Sequence, residues 1–351
     1  MVSRKILLGT TALIGAGALL ASETAQAQDW EVGISGFSRF TASAGDLPSR
    51  YQADSVANHN FRVDNEVHVD FTQTDDETGI RYGGRIEFEA NANEVADSSD
   101  HIDESWIFFE GDFGQFRFGD EDGAADNLKI FAGTISAGTG GIDGAGEVAV
   151  GTPIFFDNSG DDTKVIYYTP DIAGFQAGVS YTANTNAKGD REPNNQSTQT
   201  DGEYQRLVEA GVAYTNSFGA FDVQGSVVGG YGEGQTNDTD DLENYGAGLS
   251  LGFAGFQVAG AYFRNDSGDN ADDVNIYNAA IAYSFGNVNT SLGWAYGDFD
   301  DQGEPKNIVL SADTGLLPGV SLQGDVGYFY DYDGDRDSSG TTGVLRINFA
   351  Y

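Results

Sequence analysis

The sequence predicts an all-β fold, a sixteen-stranded antiparallel barrel that spans a membrane. Three observations predict it: polar and apolar residues alternate with a period of two, short turns alternate with long polar connections, and aromatic residues gather where strands meet the short turns. A period of two indicates strands whose two faces have different surroundings. An even number of antiparallel strands with short turns at one end and long loops at the other is typical of a bacterial outer-membrane barrel, with the turns periplasmic and the loops extracellular.

The segment FRVDNEVHVDF, residues 61 to 71, shows the alternation clearly. Its odd positions are mostly apolar, whereas its even positions are all ionisable, namely Arg62, Asp64, Glu66, His68 and Asp70. A charged side chain that faces lipid costs roughly 2 to 4 kcal/mol near the bilayer midplane. The ionisable face is therefore predicted to line a water-filled lumen. A soluble β-sandwich would also alternate, but its large aromatic residues would lie in the middle of its strands.

Seven short turns, each between two alternating runs, are typical of β-hairpins. They cover residues 73 to 79, 111 to 116, 171 to 175, 216 to 221, 252 to 256, 284 to 288 and 315 to 320. The long polar connections cover roughly residues 43 to 59, 92 to 102, 120 to 162, 184 to 203, 232 to 241, 265 to 272, 298 to 305 and 332 to 340. Seven hairpins, an opening strand at residues 30 to 40 and a closing strand at residues 341 to 351 make sixteen strands.

The first 27 residues are predicted to be a cleaved signal peptide. Arg4 and Lys5 precede a short uncharged stretch, and Ala25-Gln26-Ala27 has the small residues that signal peptidase requires. A membrane anchor is the alternative, but the stretch is short for a spanning helix. The barrel domain is then expected to comprise residues 28–351.

The composition excludes several classes of protein. A formal net charge of −38 repels nucleic acid and attracts cations. The chain has no cysteine, so packing and backbone hydrogen bonds must stabilise it without disulfides. The 23 Phe and 17 Tyr residues are more than a disordered acidic chain would contain. The short repeat of a calcium-binding β-helix is not present in the sequence.

Three segments resemble the general diffusion porins of Gram-negative bacteria, especially those of alphaproteobacteria. They are FFEGDFGQFRFGDEDG (108 to 123), DDTKVIYYTPDIAGFQAGVSY (161 to 181) and the terminus LRINFAY, in which Tyr351 replaces the family's usual Phe. The resemblance implies a homotrimer of barrels in the outer membrane, beside lipid and lipopolysaccharide. It also implies passive passage of small hydrophilic solutes and ions, and a third loop that folds inward to narrow each pore.

The third loop, residues 120 to 162, is the longest connection and contains an unusual number of apolar residues. A loop in water does not need such side chains, so we expect them to be buried against the inner wall. They are Ile130, Phe131, Val148, Val150, Ile154, Phe155 and Phe156. This loop is therefore the predicted constriction loop.

The alternation also predicts which charged residues line the pore. Five arginines of the first five strands point into the lumen: Arg39, Arg62, Arg81, Arg85 and Arg117. One interpretation is a basic wall that faces acidic residues of the third loop across a transverse field. The acidic candidates are Asp126, Asp143 and Glu147. The other interpretation is that the arginines pair with nearby carboxylates and keep the lumen neutral. The remaining predicted lumen residues are Asp64, Glu66, His68, Asp70, Glu87 and Glu89.

One acidic segment, DYDGDRDSSG, resembles a calcium-binding loop without matching the EF-hand order. It is either a solvated loop or a weak Ca²⁺ site formed by Asp331, Asp333, Asp335 and Asp337. No metal site is assigned firmly, and no cofactor is expected to be required. An enzyme is not expected, because no Ser/Asp partner pattern accompanies the lumen-facing His68, and the metal-binding spacing H-E-x-x-H is absent around the three histidines.

The favoured function is a passive channel for small hydrophilic solutes with a modest preference for cations. A substrate-specific channel is one alternative, for which inward-facing aromatic residues are the expected sign. The inward aromatic residues are predicted to be few, with Phe37, Phe263 and Phe329 as the main examples. A surface adhesin with a blocked lumen is a further alternative.

Overall fold

The computed structural model describes residues 30–46, 59–90, 101–144, 152–185, 204–236, 239–267, 273–299, 303–330 and 339–351. They form one closed antiparallel sheet of sixteen strands, which confirms the predicted fold class. The strands are β1 (Glu31–Asp46), β2 (His59–Thr74), β3 (Arg81–Glu89), β4 (Ile102–Gly111), β5 (Gly114–Asp120), β6 (Thr163–Tyr168), β7 (Phe175–Asn184), β8 (Tyr204–Phe218), β9 (Phe221–Gly234), β10 (Leu242–Phe253), β11 (Phe256–Asp266), β12 (Val274–Phe285), β13 (Val288–Phe299), β14 (Lys306–Leu317), β15 (Val320–Tyr330) and β16 (Ser339–Ala350).

The seven predicted short turns all join neighbouring strands at one end of the barrel. In the turn between β10 and β11, Ala254 and Gly255 both adopt positive φ, of 51° and 85°. This is the backbone conformation of a type I′ turn, whose twist matches that of the strands it joins. The strand ends that the long connections join lie at the opposite end of the barrel, as the alternation of short and long connections requires.

Pairing between the first and last strands closes the barrel. β1 and β16 pair from Phe37↔Ala350 to Asp46↔Thr341. The chain terminus continues this ladder, because the Tyr351 N–H donates to the Gly36 carbonyl at 3.1 Å and the Gly36 N–H donates to the Tyr351 carbonyl at 3.0 Å. Closure leaves no edge strand, so no row of unpaired backbone groups faces a lipid bilayer.

The two faces of each strand differ as the alternation predicts. Val227 on β9 points outward and is 65% exposed, whereas its neighbour Ser226 points inward and is 7% exposed. The same contrast separates the outward Val179 from the inward Ser180 on β7. Large apolar side chains thus cover the outside of the barrel, and small polar side chains cover much of the inside.

We expect spin labels to distinguish the two faces. Because the chain has no native cysteine, Val179→Cys, Val227→Cys and Arg62→Cys each provide a single labelling site. Labels at the two valine positions should collide more often with molecular oxygen, which is soluble in lipid, than with a water-soluble nickel complex. The label at Arg62, on the inward face, should show the reverse preference. Water-exposed labels at both valine positions would contradict a lipid-facing surface.

Aromatic side chains ring the outside of the barrel at both ends. At the short-turn end, ring centroids lie 4.5 Å apart for Phe221–Phe253 and 4.2 Å apart for Phe256–Tyr283. At the long-loop end the ring consists largely of tyrosines, with Tyr262–Tyr277 at 5.1 Å and Tyr277–Tyr296 at 5.8 Å. Two aromatic belts of this kind mark the two interfaces of a membrane-spanning barrel.

The third loop folds into the barrel. Its described part contains α1 (Ala124–Leu128) and two 3₁₀ turns, Ala132–Ile135 and Gly141–Asp143. These elements pack against the inner faces of strands from β6 to β14. No helix among the described residues is both long and apolar enough to cross a membrane.

Candidate functional site: the lumen and the third loop

Apolar side chains attach the third loop to the inner wall. Phe131 and Phe156 are 5% and 3% exposed. The rings of Phe155 and Phe156 lie edge-on to Phe263 of β11, at centroid distances of 4.8 Å and 5.9 Å. The expected burial of these loop residues is confirmed, whereas Val148 and Val150 lie outside the described residues. Phe263, predicted to line the lumen, is instead fully covered by the loop.

The backbone of the loop is held by polar side chains of the wall. Buried N–H groups need acceptors, and a loop inside a barrel cannot obtain them from a sheet ladder. Seven side chains of the described wall accept N–H groups of the loop: Ser180 from Ala124 (3.0 Å), Ser226 from Ile130 (2.8 Å), Asn265 from Asp157 (3.0 Å), Asn278 from Ala132 (2.9 Å), Ser291 from Ala137 (2.8 Å), Asp313 from Gly138 (3.0 Å) and Asp325 from Thr139 (2.9 Å). The loop therefore follows the wall from β7 to β15.

Glycines of the wall make room for the loop. A Cβ atom at Gly248 of β10 would lie 1.6 Å from the carbonyl oxygen of Ile130. A Cβ atom at Gly293 of β13 would lie 2.9 Å from a methyl group of Ile142. At Gly248 the obstructing atom belongs to the backbone of the loop, so even an alanine would force the loop to move.

A buried lysine joins the two ends of the loop. Lys164 of β6 is 3% exposed, and its Nζ donates to the carbonyl oxygens of Glu121, Gly160 and Asp162. The last two hydrogen bonds are both 2.6 Å long. One ammonium group thus ties the first residues of the loop to the last.

The inner wall formed by β1 to β5 is the open side of the lumen, and it carries all five predicted arginines. Each arginine forms an ion pair with a carboxylate: Arg39–Asp64 (3.6 Å), Arg62–Asp64 (3.5 Å), Arg81–Glu110 (3.0 Å), Arg85–Asp70 (2.8 Å), Arg85–Glu87 (3.1 Å) and Arg117–Glu121 (2.8 Å). These partners belong to the wall or to the start of the third loop. The contacts favour local pairing, and the transverse field stays a prediction.

The acidic candidates of the loop have different surroundings. Asp126 pairs with Lys129, a loop cation that the sequence analysis did not single out. The side chain of Asp143 reaches the lumen, but protein surrounds most of it. The loss of hydration, together with the charge of Asp126, raises the pKa of the carboxyl. The charge of Lys129 partly offsets this increase in pKa. Glu147 lies outside the described residues, as do the predicted signal peptide and the acidic segment from Asp331 to Asp337.

An open recess of about 560 Å³ lies on the β1–β5 wall near the short-turn end. Arg81, Arg85 and Arg117 line it together with Trp106 and Phe108. The guanidinium carbon of Arg117 lies 4.7 Å from the ring centroid of Trp106, and that of Arg81 lies 5.0 Å from that of Phe108. The recess therefore combines cations with aromatic surfaces.

Neither of these two aromatic residues was predicted to face the lumen. Trp106 and Phe108 share the phase of Glu104 and Glu110, which stand on either side of them at two-residue intervals. Because charged side chains belong on the lumen side, the phase of β4 could have been read from the two glutamates. The prediction of few inward aromatic residues was incomplete for this reason.

Asp122, at the start of the third loop, is expected to make the pore sensitive to pH. Burial, with the nearby charges of Asp126 and Asp161, raises the pKa of its carboxyl to about 7. We expect the preference for cations to increase as the pH rises through 7, because each barrel gains a negative charge. The folded chain keeps this proton up to a pH near 7 while an unfolded aspartate loses it near 3.8, so the free energy of unfolding should fall between these values.

Reversal potentials measured between pH 5.5 and 8.5 test this expectation. The variant Asp122→Asn should show a smaller step near pH 7 than the unchanged protein. Asp171→Asn, in the exposed turn before β7, serves as the matched control and should keep it. An identical step in Asp122→Asn would contradict the assignment.

A sixteen-stranded barrel with an inward-folded loop and a charged open wall has the architecture of a water-filled membrane channel. The sequence model of the Gram-negative porins matches residues 9–335, and the chain belongs to that family. It is therefore an outer-membrane porin, a class of channels rather than of enzymes.

Similar proteins and structures agree with this family. The chain is 21% identical to an uncharacterized protein of Rickettsia bellii (strain RML369-C), covering 92% of this chain and 93% of the relative. An anion-selective porin from Comamonas acidovorans matches with a TM-score of 0.64 and 17% identity, covering 92% of this chain and all of the other. A mutant of Rh. blastica porin matches with a TM-score of 0.63 and 12% identity over the same shares. The two structural similarities show that this chain has the same fold as these porins.

Proposed function

We propose that the protein is a general diffusion channel that passes small hydrophilic solutes and ions down their concentration gradients. The observation that carries the proposal is the position of the third loop. It is attached to the wall from β7 to β15 and leaves the inner faces of β1 to β5 open to the lumen. A loop held to one side narrows a pore without closing it.

The proposal includes the homotrimeric assembly, the contacts with outer-membrane lipid and lipopolysaccharide, and export by cleavage after residue 27. It also includes a modest preference for cations, since the net charge is −38 and each of the five arginines of the β1–β5 wall has a carboxylate partner. Weak Ca²⁺ binding by Asp331, Asp333, Asp335 and Asp337 belongs to the proposal as well. Equilibrium dialysis tests it by comparing the Ca²⁺ bound by the unchanged protein with the Ca²⁺ bound by a variant in which asparagine replaces these four residues.

Conductance of the purified protein in planar bilayers, together with swelling of liposomes in neutral sugars of graded size, tests the channel. We expect an ohmic open channel and swelling rates that fall smoothly with the size of the sugar. Three conductance steps for each insertion, with a heat-sensitive oligomer on a denaturing gel, would support the trimer. A lack of conductance would indicate the blocked adhesin barrel instead.

A substrate-specific channel is the second candidate, and the recess lined by Arg117, Trp106 and Phe108 favours it. A specific solute would occupy the recess and block the ion current at low concentration. Saturating block by one solute, but not by others of equal size and charge, would support this alternative over general diffusion.

A further inference from the structure

A histidine and two glutamates meet on the open wall of the lumen. His68 of β2 lies directly opposite Glu87 of β3 in the strand register, and Glu66 precedes His68 by two residues on the same inward face. One donor atom from each residue lies within 4.8 Å of the other two. The Nε2 of His68 contacts Oε1 of Glu66 and lies 3.6 Å from Oε2 of Glu87. The function proposed above does not use this cluster.

The second carboxylate oxygen of Glu87 is directed into the cluster. Its side chain is 10% exposed, and its Oε1 accepts a hydrogen bond of 3.1 Å from Nη1 of Arg85. Its Oε2 faces the imidazole of His68 beyond hydrogen-bond distance, and it accepts no hydrogen bond in the described part of the chain. The carboxylate of a side chain that is largely buried is stabilised by a cation close to it.

With a neutral imidazole, the cluster carries more negative than positive charge. A neutral imidazole has one N–H, and two carboxylates converge on a single ring nitrogen. Arg85 is shared between Glu87 and Asp70, to which its Nε donates at 2.8 Å. The carboxylates of Glu66, Glu87 and Asp70 carry three negative charges, and the guanidinium of Arg85 carries one positive charge. The sum is two negative charges. A divalent ion would neutralise both.

We propose that Glu66, His68 and Glu87 bind one divalent transition-metal ion, for which Zn²⁺ is the reference, on the inner wall of each barrel. Imidazole nitrogen and carboxylate oxygen bind Zn²⁺ at about 2.0–2.2 Å, which places tetrahedral donors about 3.3 Å apart. The 3.6 Å distance between His68 and Glu87 is close to this separation. Three protein ligands leave the fourth position to lumen water.

The surrounding strands hold the ligands in place. β2 and β3 are hydrogen-bonded neighbours in the sheet, so the backbones of all three ligands are fixed. Arg85 orients Glu87 through one oxygen and leaves the other directed at the site, as an outer-shell partner does in metalloproteins. Glu89 and Asp103, which also lie near Glu66, add negative potential that attracts cations.

The test uses the full-length purified protein, first stripped with EDTA and then titrated with ZnCl₂ by calorimetry. We expect one Zn²⁺ per barrel at this site, and His68→Gln and Glu87→Gln should each weaken its binding roughly ten-fold or more. His101→Gln, a histidine that precedes β4, is the matched control and should leave the affinity unchanged. Glu66→Gln provides a third ligand variant, and heat-sensitive migration on a gel identifies the variants that fold.

One spectroscopic and one electrical measurement distinguish Zn²⁺ bound at this site from Zn²⁺ bound by the acidic loops. X-ray absorption at the zinc edge should show imidazole scattering that disappears in His68→Gln. In bilayers, Zn²⁺ should shift the reversal potential toward anions, and EDTA should restore it. Unchanged Zn²⁺ affinity in the folded ligand variants, or equal loss in His101→Gln, would overturn the proposal. Because calorimetry needs no ion current, a failure of the metal site is distinguishable from a failure of the channel.

Discussion

Replacing Gly248 with alanine is expected to lower the single-channel conductance and to make the current fluctuate. The new Cβ atom would lie 1.6 Å from the carbonyl oxygen of Ile130 and 2.7 Å from its carbon. Because both atoms belong to the backbone, a change of rotamer cannot relieve the clash. The loop can move only away from the wall and therefore into the lumen.

The displaced segment also loses wall contacts. The Ile130 N–H donates to Ser226 Oγ at 2.8 Å, and this hydrogen bond cannot persist if the peptide moves off the wall. Overpacking a well-packed site costs about 1–3 kcal/mol, and a buried N–H without an acceptor costs about 1–3 kcal/mol more. A penalty of this size is comparable to the free energy that holds a loop in one position, so we expect several loop positions to be populated.

Single-channel recordings in planar bilayers measure this effect. Gly33→Ala is the matched control, because its new Cβ atom would also face the lumen but would come no nearer than 3.9 Å to its nearest neighbour, Asp70. The control should conduct like the unchanged protein. A quiet current of full size in Gly248→Ala would show that the loop does not lie against β10.

Reversing the charges of Arg81, Arg85 and Arg117 to glutamate is expected to raise the preference for cations strongly. The change replaces three positive charges with three negative ones, so the net charge of one wall of the pore becomes more negative by six units. A unit charge about 10 Å from a permeating ion contributes about 0.4 kcal/mol in water before screening. At 0.1 M salt the Debye length is about 10 Å, so screening removes more than half of this energy. We expect the cation-to-anion permeability ratio to rise on the order of ten-fold.

Reversal potentials under a salt gradient measure the ratio, and two further variants serve as controls. Arg206→Glu changes one charge at the loop end of β8, where the side chain is 56% exposed, and should have little effect. Asp70→Asn with Glu110→Gln removes negative charge from the same wall and should shift the ratio toward anions. Equal responses in the wall variant and in Arg206→Glu would show that the arginines do not face the conducting path.

The barrel was predictable because two local signals agree along the whole chain. Alternation sets the face of each residue, and glycine-containing turns set the hairpin register. The strand ends were less accurate. β1 was predicted to end at residue 40 but continues to Asp46, since its pairing with β16 and β2 extends to a loop end where small residues weaken the alternation. Backbone pairing, not alternation, determines the end of such a strand.

The path of the third loop could not be predicted from the sequence. Its acceptors are small side chains such as Ser226, Ser291 and Asn278, which also occur wherever a strand faces water. Its space comes from glycines such as Gly248, whose role depends on a backbone distant in the sequence. The acidic partners remained uncertain for the same reason. The local pattern left two interpretations open for the arginines, and the ion pairs on the wall agree with the one in which they pair with nearby carboxylates.

The distribution of the loop's anchors has a consequence for biogenesis. The side chains that hold residues 124 to 139 belong to β7, β9, β12, β13, β14 and β15, and the last of them follows the loop residue it binds by 186 positions. Contacts between residues so distant in the chain form slowly. We therefore expect a nascent molecule to pass through a stage in which the sheet is nearly complete while the third loop is not yet attached, and that loop to stay sensitive to proteases until β15 joins the sheet.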